Sequence, residues 1–79
     1  MTVIERIRQY VTGSVAVPVE DDSDIFELGL VDSLFGLQLV SFVEQEFAIT
    51  VDGDDLDIAN FCSIRALSAF VTAKHAAAG

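Results

Sequence analysis

The side chains able to do chemistry are few, and their spacing limits what they can do. Ser33 lies in the stretch Phe26-Glu27-Leu28-Gly29-Leu30-Val31-Asp32-Ser33-Leu34. A nucleophile elbow needs a glycine two residues to either side of its serine, and those positions hold Val31 and Phe35. No His–acid pair is spaced to activate the hydroxyl. The one histidine, His75, sits in an Ala-rich tail and reads as a surface residue. The one cysteine, Cys62, cannot form an internal disulfide and has no Cys/His cluster around it for a metal, so it reads as a small residue at a helix junction. Asp52, Asp54, Leu56 and Ser63 fall at positions 1, 3, 5 and 12 of a calcium loop counted from Asp52. Such a loop needs an oxygen ligand at position 5, Gly at 6 and Glu at 12, where this chain has Leu56, Asp57 and Ser63. The expectation is no catalytic residue and no dedicated metal site, with loose binding of divalent cations left to the acidic surface.

The elements that must position Ser33 follow from apolar periodicity. Val3, Ile4, Ile7, Tyr10 and Val11 recur at helical spacing, Thr2 can cap the start and Gly13 suits the end, which predicts a first helix over 2–13. Residues 14–32 lack a helical period, and Pro18 and Glu20-Asp21-Asp22-Ser23-Asp24 mark a long loop. Loops of this length in a compact domain are often functional. Ile25, Phe26, Leu28 and Leu30 are its expected apolar anchors, with a helical turn near 23–27.

The longest helix is expected over 33–48. On a wheel of about 100° per residue, Leu39, Val40, Val43 and Phe47 form one face with Leu37 at its border, and Gln38, Ser41 and Gln45 lie opposite. Phe35 and Phe42 share a flank, and Leu34 falls among polar residues, so Leu34 and Phe35 are the hard ones to bury. Gly36 falls on the core face, where it either leaves room or lets another element approach closely. A polar connection over 49–55 precedes a short third helix built on Leu56, Ile58 and Phe61. Ser63 can cap a fourth helix with Ile64, Leu67, Phe70 and Val71 as its core stripe, and 76–79 should fray. The fold class is therefore all-α: a small antiparallel four-helix bundle, three helices long and one short, forming a single domain over 1–79.

Composition excludes several functions. The chain has 79 residues, 52% apolar, with a net charge of −9. Apart from Glu5, all of its 13 acids lie between Glu20 and Asp57, and no Lys or Arg occurs between Arg8 and Arg65. Such a chain repels nucleic-acid phosphates and should be steered toward basic protein surfaces. No apolar run approaches the roughly 18 residues of a membrane span. Glu5, Arg6 and Arg8 interrupt the N-terminal apolar pattern, which does not read as a signal peptide, so a cytoplasmic monomer is expected.

The run Gly29-Leu30-Val31-Asp32-Ser33-Leu34, opening the second long helix after a long loop, resembles the attachment motif of acyl and peptidyl carrier proteins. Length, acidity and helix layout resemble them over nearly the whole chain. The resemblance implies that Ser33 receives 4'-phosphopantetheine from coenzyme A through a phosphopantetheinyl transferase, and that Asp32 binds a metal or orients the serine in that enzyme's site. The alternative for Asp32 or Ser33 is a simple N-cap. A helix N-terminus, with free N–H groups and partial positive charge, suits the arm's phosphate. The carrier would hold an acyl thioester and do no catalysis. Its docking contacts would be Leu34, Phe35 and Gln38, meeting acyl-loading and acyl-processing enzymes with basic or apolar surfaces.

Fatty-acid carriers usually place acids just after the modified serine, where this chain has Phe35, Gly36 and Gln38. Residues 34–44 and 55–61 look like discrete carriers of secondary metabolism, closest to those holding methoxymalonyl, hydroxymalonyl or glyceryl units for polyketide or related pathways. Cys62 stands where such relatives often have a basic residue. The alternatives are an aminoacyl or peptidyl carrier and, from another class, an unmodified acidic interaction module.

Overall fold

The computed structural model describes residues 2–15, 18–29 and 32–78. Among the described residues, four helices form the bundle: α1 (Val3–Ser14), α2 (Ser33–Phe47), α3 (Ile58–Phe61) and α4 (Ile64–Ala78), with a 3₁₀ turn at Gly53–Asp55 before α3. No strand occurs among the described residues, as the sequence led us to expect.

α1 begins on a capping box. The Glu5 N–H donates to Thr2 Oγ1 at 3.2 Å, and the Thr2 N–H reaches back to Glu5 Oε1 at 3.4 Å. The Thr2 hydrogen bonds hold the Glu5 carboxyl below its ordinary range. Ile7 and Val11, one turn apart, are fully buried. Gly13 does not end the helix. The Ser14 hydroxyl folds back on the Tyr10 carbonyl at 2.8 Å and the chain leaves the helix at Val15.

The long connection is tied at several points. Ile25 is buried and its N–H donates to the Cys62 carbonyl at 2.8 Å, at the corner between α3 and α4. The Arg65 N–H donates to the Asp21 carbonyl at 2.9 Å. Arg8 grips the Asp21 carboxylate with both arms of its fork, at 2.9 and 2.7 Å, and Arg65 pairs with Asp22. Asp24 Oδ1 accepts the N–H groups of Phe26 and Glu27, which starts a turn close to the one expected at 23–27. Of the expected anchors, Ile25 is buried and Phe26 half-buried, but Leu28 is exposed. The turn that buries Ile25 carries Leu28 around to the solvent side. Leu30 lies outside the described residues.

In α2, Leu39, Val43 and Phe47 are buried at intervals of four and Val40 is half-buried. Leu37, expected at the border of this face, is instead 65% exposed. Its neighbours Leu56 and Ile58 are equally exposed, because the short α3 packs on α4 and leaves a groove beside α2. Phe61 is the buried residue of α3, tilted against Phe70 with ring centroids 5.4 Å apart. The expected polar connection starts apolar, since Ile49 is buried. The Val51 N–H donates to Glu44 Oε2 at 3.0 Å. α4 is capped by Ser63 Oγ accepting the Ala66 N–H at 3.0 Å, and it buries Ile64, Leu67, Phe70 and Val71 as expected. The helix is continuous through Ala78.

His75 does more than a surface residue would. Its Nε2 lies 2.7 Å from the Phe47 carbonyl, at the free C-terminal end of α2, and its ring meets the Phe47 ring edge-on. Nearby, Lys74 pairs with Asp55 at 2.7 Å and with Asp52 at 3.4 Å, fixing the 3₁₀ turn to α4.

Two predictions follow from this packing. Phe47→Ala should lower stability by about 3–5 kcal/mol, whereas Gln45→Ala on the exposed face should stay within about 0.5 kcal/mol; urea titration at neutral pH compares them. Asp21 and Asp55 are both held below the ordinary aspartate value of 3.8, chiefly by the hydrogen bonds from Arg8 and Lys74. A lowered carboxyl stabilises the fold above its unfolded pKa and loses that effect as pH falls through the folded value. The stability gap between the parent and Asp21→Asn should therefore be widest near neutral pH and close below about pH 4, as read from urea midpoints across that range.

Candidate functional site: the N-terminus of α2

Ser33 is the first helical residue of α2, and its side chain is exposed. The preceding residue sets the geometry. Asp32 has extended backbone, its Oδ1 accepts the Phe35 N–H at 3.1 Å, and its carbonyl accepts the Gly36 N–H at 3.1 Å. Asp32 is thus the N-cap, and its negative charge suits the positive end of the helix dipole. The Ser33 and Leu34 N–H groups have no acceptor among the described residues. A turn ahead of the site, Gly29 takes φ 74°, a left-handed conformation natural to glycine, and its N–H closes on the Phe26 carbonyl at 3.1 Å. This glycine ends the turn and redirects the chain toward α2. Leu30 and Val31 of the motif lie outside the described residues.

The flanking side chains divide into two groups. Leu34, Leu37 and Gln38 point to solvent. Phe35, expected to be hard to bury, is half-buried, and its ring stacks on Tyr10 of α1 with centroids 6.0 Å apart and planes 19° apart. Gly36 faces the Phe26 ring, which a Cβ there would meet at 3.5 Å, an ordinary contact distance. Gly36 therefore answers to a loop side chain and not to a close-packed helix.

Beside Ser33 opens a groove of about 320 Å³. Phe26, Val40 and Phe61 line it together with the exposed Leu37, Leu56 and Ile58, and its polar edge is Ser33 and Asp57. The charges nearest the site are acidic, and the chain has only four Lys and Arg. Each of them is engaged elsewhere: Arg6 with Glu46 at 2.6 Å, Arg8 with Asp21, Arg65 with Asp22, and Lys74 with Asp55 and Asp52.

This arrangement can present a hydroxyl but cannot activate one. His75 binds the opposite end of α2, about 21 Å along the helix from Ser33. Cys62 is half-exposed at the α3–α4 junction, with Sγ 3.8 Å from the Ala59 carbonyl. Among the described residues, no three His, Cys, Asp or Glu side chains are grouped to hold a metal ion, and no helix is long and apolar enough to cross a membrane. An exposed serine at a helix start, beside two free N–H groups and an open groove, fits a phosphodiester on its oxygen.

The family model for the phosphopantetheine attachment site matches residues 5–71. The chain belongs to that family. Members of the family are carrier domains with covalently attached 4'-phosphopantetheine; they are not catalysts, and they work with a phosphopantetheinyl transferase and with synthase partners. The chain is also similar to the non-reducing polyketide synthase AC of Didymella fabae, at 37% identity over 59 residues. That match covers 73% of this carrier and 2% of the synthase, so the carrier spans a very small part of that relative's length.

Sequence reasoning missed two features of the site. Tyr10 was read only as a core position of α1, and the Phe26 ring reaches over Gly36 from a loop. Only Tyr10 had a visible signal, an aromatic at helical spacing matched by two aromatics seven residues apart in α2. The cap itself can be tested. Asp32→Ala should cost about 0.5–2 kcal/mol, whereas Asp32→Asn, whose amide oxygen can still accept the Phe35 N–H, should stay close to the parent; thermal unfolding followed by circular dichroism measures both.

Proposed function

We propose that Ser33 is the attachment residue and that the protein is an acyl carrier of polyketide or related secondary metabolism. The observation that carries the reading is the exposed Ser33 hydroxyl at the first position of α2, capped by Asp32, within the residues that the family model matches. The arm, once bound, supplies a terminal thiol that holds the cargo as a thioester. What this chain contributes is presentation. Asp32 fixes the first turn, the N–H groups of Ser33 and Leu34 would be available to the arm's phosphate, and tethering would raise the local concentration of cargo at each docked enzyme.

The similarity to a polyketide synthase supports the pathway class. The resemblance of residues 34–44 to discrete extender-unit carriers supports a methoxymalonyl, hydroxymalonyl or glyceryl cargo. The groove lining bears on where such a unit would ride. Its walls are apolar, so hydroxyl groups placed there would lose water without gaining hydrogen bonds. A polar unit of this kind is better held outside on the arm. Docking would use Leu34 and Gln38, one helical turn apart and both exposed, with the adjacent Leu37. Asp32 and Asp57 beside the site favour partners with basic rims, and the net charge of −9 favours a monomer by repelling like copies.

Incubation with coenzyme A, magnesium and a broad-specificity phosphopantetheinyl transferase should add a single arm to the protein. Ser33→Ala should block the addition while leaving the helical circular dichroism unchanged. Asp32→Asn should keep the fold and slow the addition, since the residue's cap survives and its charge does not. Intact mass and peptide mapping read the outcome, and an arm still attached to the Ser33→Ala protein would overturn the assignment.

A further inference from the structure

The first two turns of α2 meet the rest of the molecule at few points. Asp32, Ser33, Leu34, Leu37 and Gln38 are all exposed, and the first fully buried side chain of the helix is Leu39. The Phe26 ring lies over Gly36, where a Cβ would meet it at 3.5 Å. The remaining attachment is aromatic. Tyr10 of α1 stacks on Phe42 with centroids 4.0 Å apart and planes at 12°, and the same ring stacks on Phe35 at 6.0 Å and 19°. Phe35 and Phe42 are seven residues apart, two helical turns or about 10.5 Å, so both lie along one side of α2. A single side chain of α1 thus spans two turns of the helix that begins at Ser33.

We propose that Tyr10 and Phe35 are positioning residues for arm transfer: their stack holds the first turn of α2 in the geometry that presents Ser33. The inference rests on the reading of Ser33 as the attachment residue. Two restraints converge on Phe35. Its N–H is held by the Asp32 carboxylate, and its ring is held by Tyr10. The cap fixes the first turn within the helix, and the stack fixes that turn to the body of the protein. Without the stack, the turn loses one of its ties to the body of the protein, and helix ends tied at few points open locally. A transferase must receive the Ser33 oxygen in one orientation, and small displacements of a reacting atom cost large factors in rate. The ring of Phe35 therefore acts on the reaction without touching the incoming enzyme.

Phe35→Leu and Tyr10→Leu remove one ring each and keep an apolar side chain, while Phe35→Tyr and Tyr10→Phe keep the stack. Two measurements are needed: amide hydrogen exchange at Phe35 and Gly36 in the unmodified protein, and kcat and KM for arm transfer. Phe35→Leu should exchange these two amides about two- to ten-fold faster, the range expected for loss of one aromatic pair, and Tyr10→Leu, which also loses the Phe42 stack, at least as much. The amides of Leu67 and Val71 in α4 should be unchanged. The variants should lower kcat by more than they raise KM, and the conservative variants should match the parent in both readouts. Slower transfer in Phe35→Leu with parental transfer in Tyr10→Leu would mean that Phe35 meets the enzyme directly, which overturns the proposal. Exchange unchanged at Phe35 and Gly36, or raised equally in α4, would reduce the stack to a general stabiliser and also overturn it. If the arm is found on a residue other than Ser33, the attachment reading fails; the exchange measurement does not depend on attachment, so the two failures are told apart.

Discussion

The burial of Ile25 is the constraint on which the rest of the structure depends. A connection from residue 15 to residue 32 is too short to bury a core of its own, and its backbone must find partners outside itself. Ile25 enters the bundle between elements distant in sequence, and its N–H takes the Cys62 carbonyl. Full burial of such a side chain contributes about 1.5–3 kcal/mol. Of the two ion pairs that flank it, Arg65 with Asp22 is exposed and Arg8 with Asp21 half-buried, and charge pairs so open to solvent contribute little on their own. The apolar anchor therefore holds the connection down, and the ion pairs set its register. Asp21 is the hinge of that register, since its side chain binds α1 while its carbonyl receives the Arg65 N–H from α4.

With the connection fixed in this way, the start of α2 is free to face solvent. Gly29 turns the chain, Asp32 caps the helix, and Ser33 emerges beside a groove whose polar edge is a second N-cap, Asp57. The scarcity of cations has a consequence here. All four Lys and Arg side chains tie elements together away from the groove, so acids near Ser33 have no intramolecular counter-charge. The same pairs that tie the bundle together leave the end of the molecule around Ser33 negative.

How much of this was legible in the sequence depends on whether each feature is local. The four helices, the caps at Thr2 and Ser63, and the buried stripe Leu39, Val43 and Phe47 follow from spacing and capping chemistry, which act within a few residues. The place of Ser33 at a helix start was equally readable, because Asp-Ser after Leu-Gly specifies a turn and a cap. Errors arose where distant elements decide exposure. Leu28 and Leu37 have the right residue type for a core, but Leu28 is carried outward by the Ile25 turn and Leu37 faces the short α3 across a groove. Periodicity cannot report which side of a helix a neighbour will leave uncovered. His75 is exposed, as read, but its partner, a backbone carbonyl at the end of another helix, is one that no spacing rule points to.

The distribution of charge along α2 gives the carrier two kinds of surface. From Ser33 to Val43 the helix contains no charged residue, and its exposed side chains there are leucine, glutamine and serine. The acids lie instead at its ends and on the loops around it. Long-range attraction to a basic partner therefore arises from Asp32, Asp57 and the loop acids, and fades beyond about 8 Å at physiological ionic strength. Short-range contact arises from a neutral face that such screening does not weaken. A partner approaching along the field meets no charged side chain between Ser33 and Val43 of α2 to lock its orientation. If docking uses this face as proposed, orientation would depend on shape and apolar fit around Leu34 and Leu37, a small area next to Ser33. For that area to discriminate, its backbone must be held still, and the turn that includes Ser33 is tied to α1 through the Phe35 and Tyr10 rings.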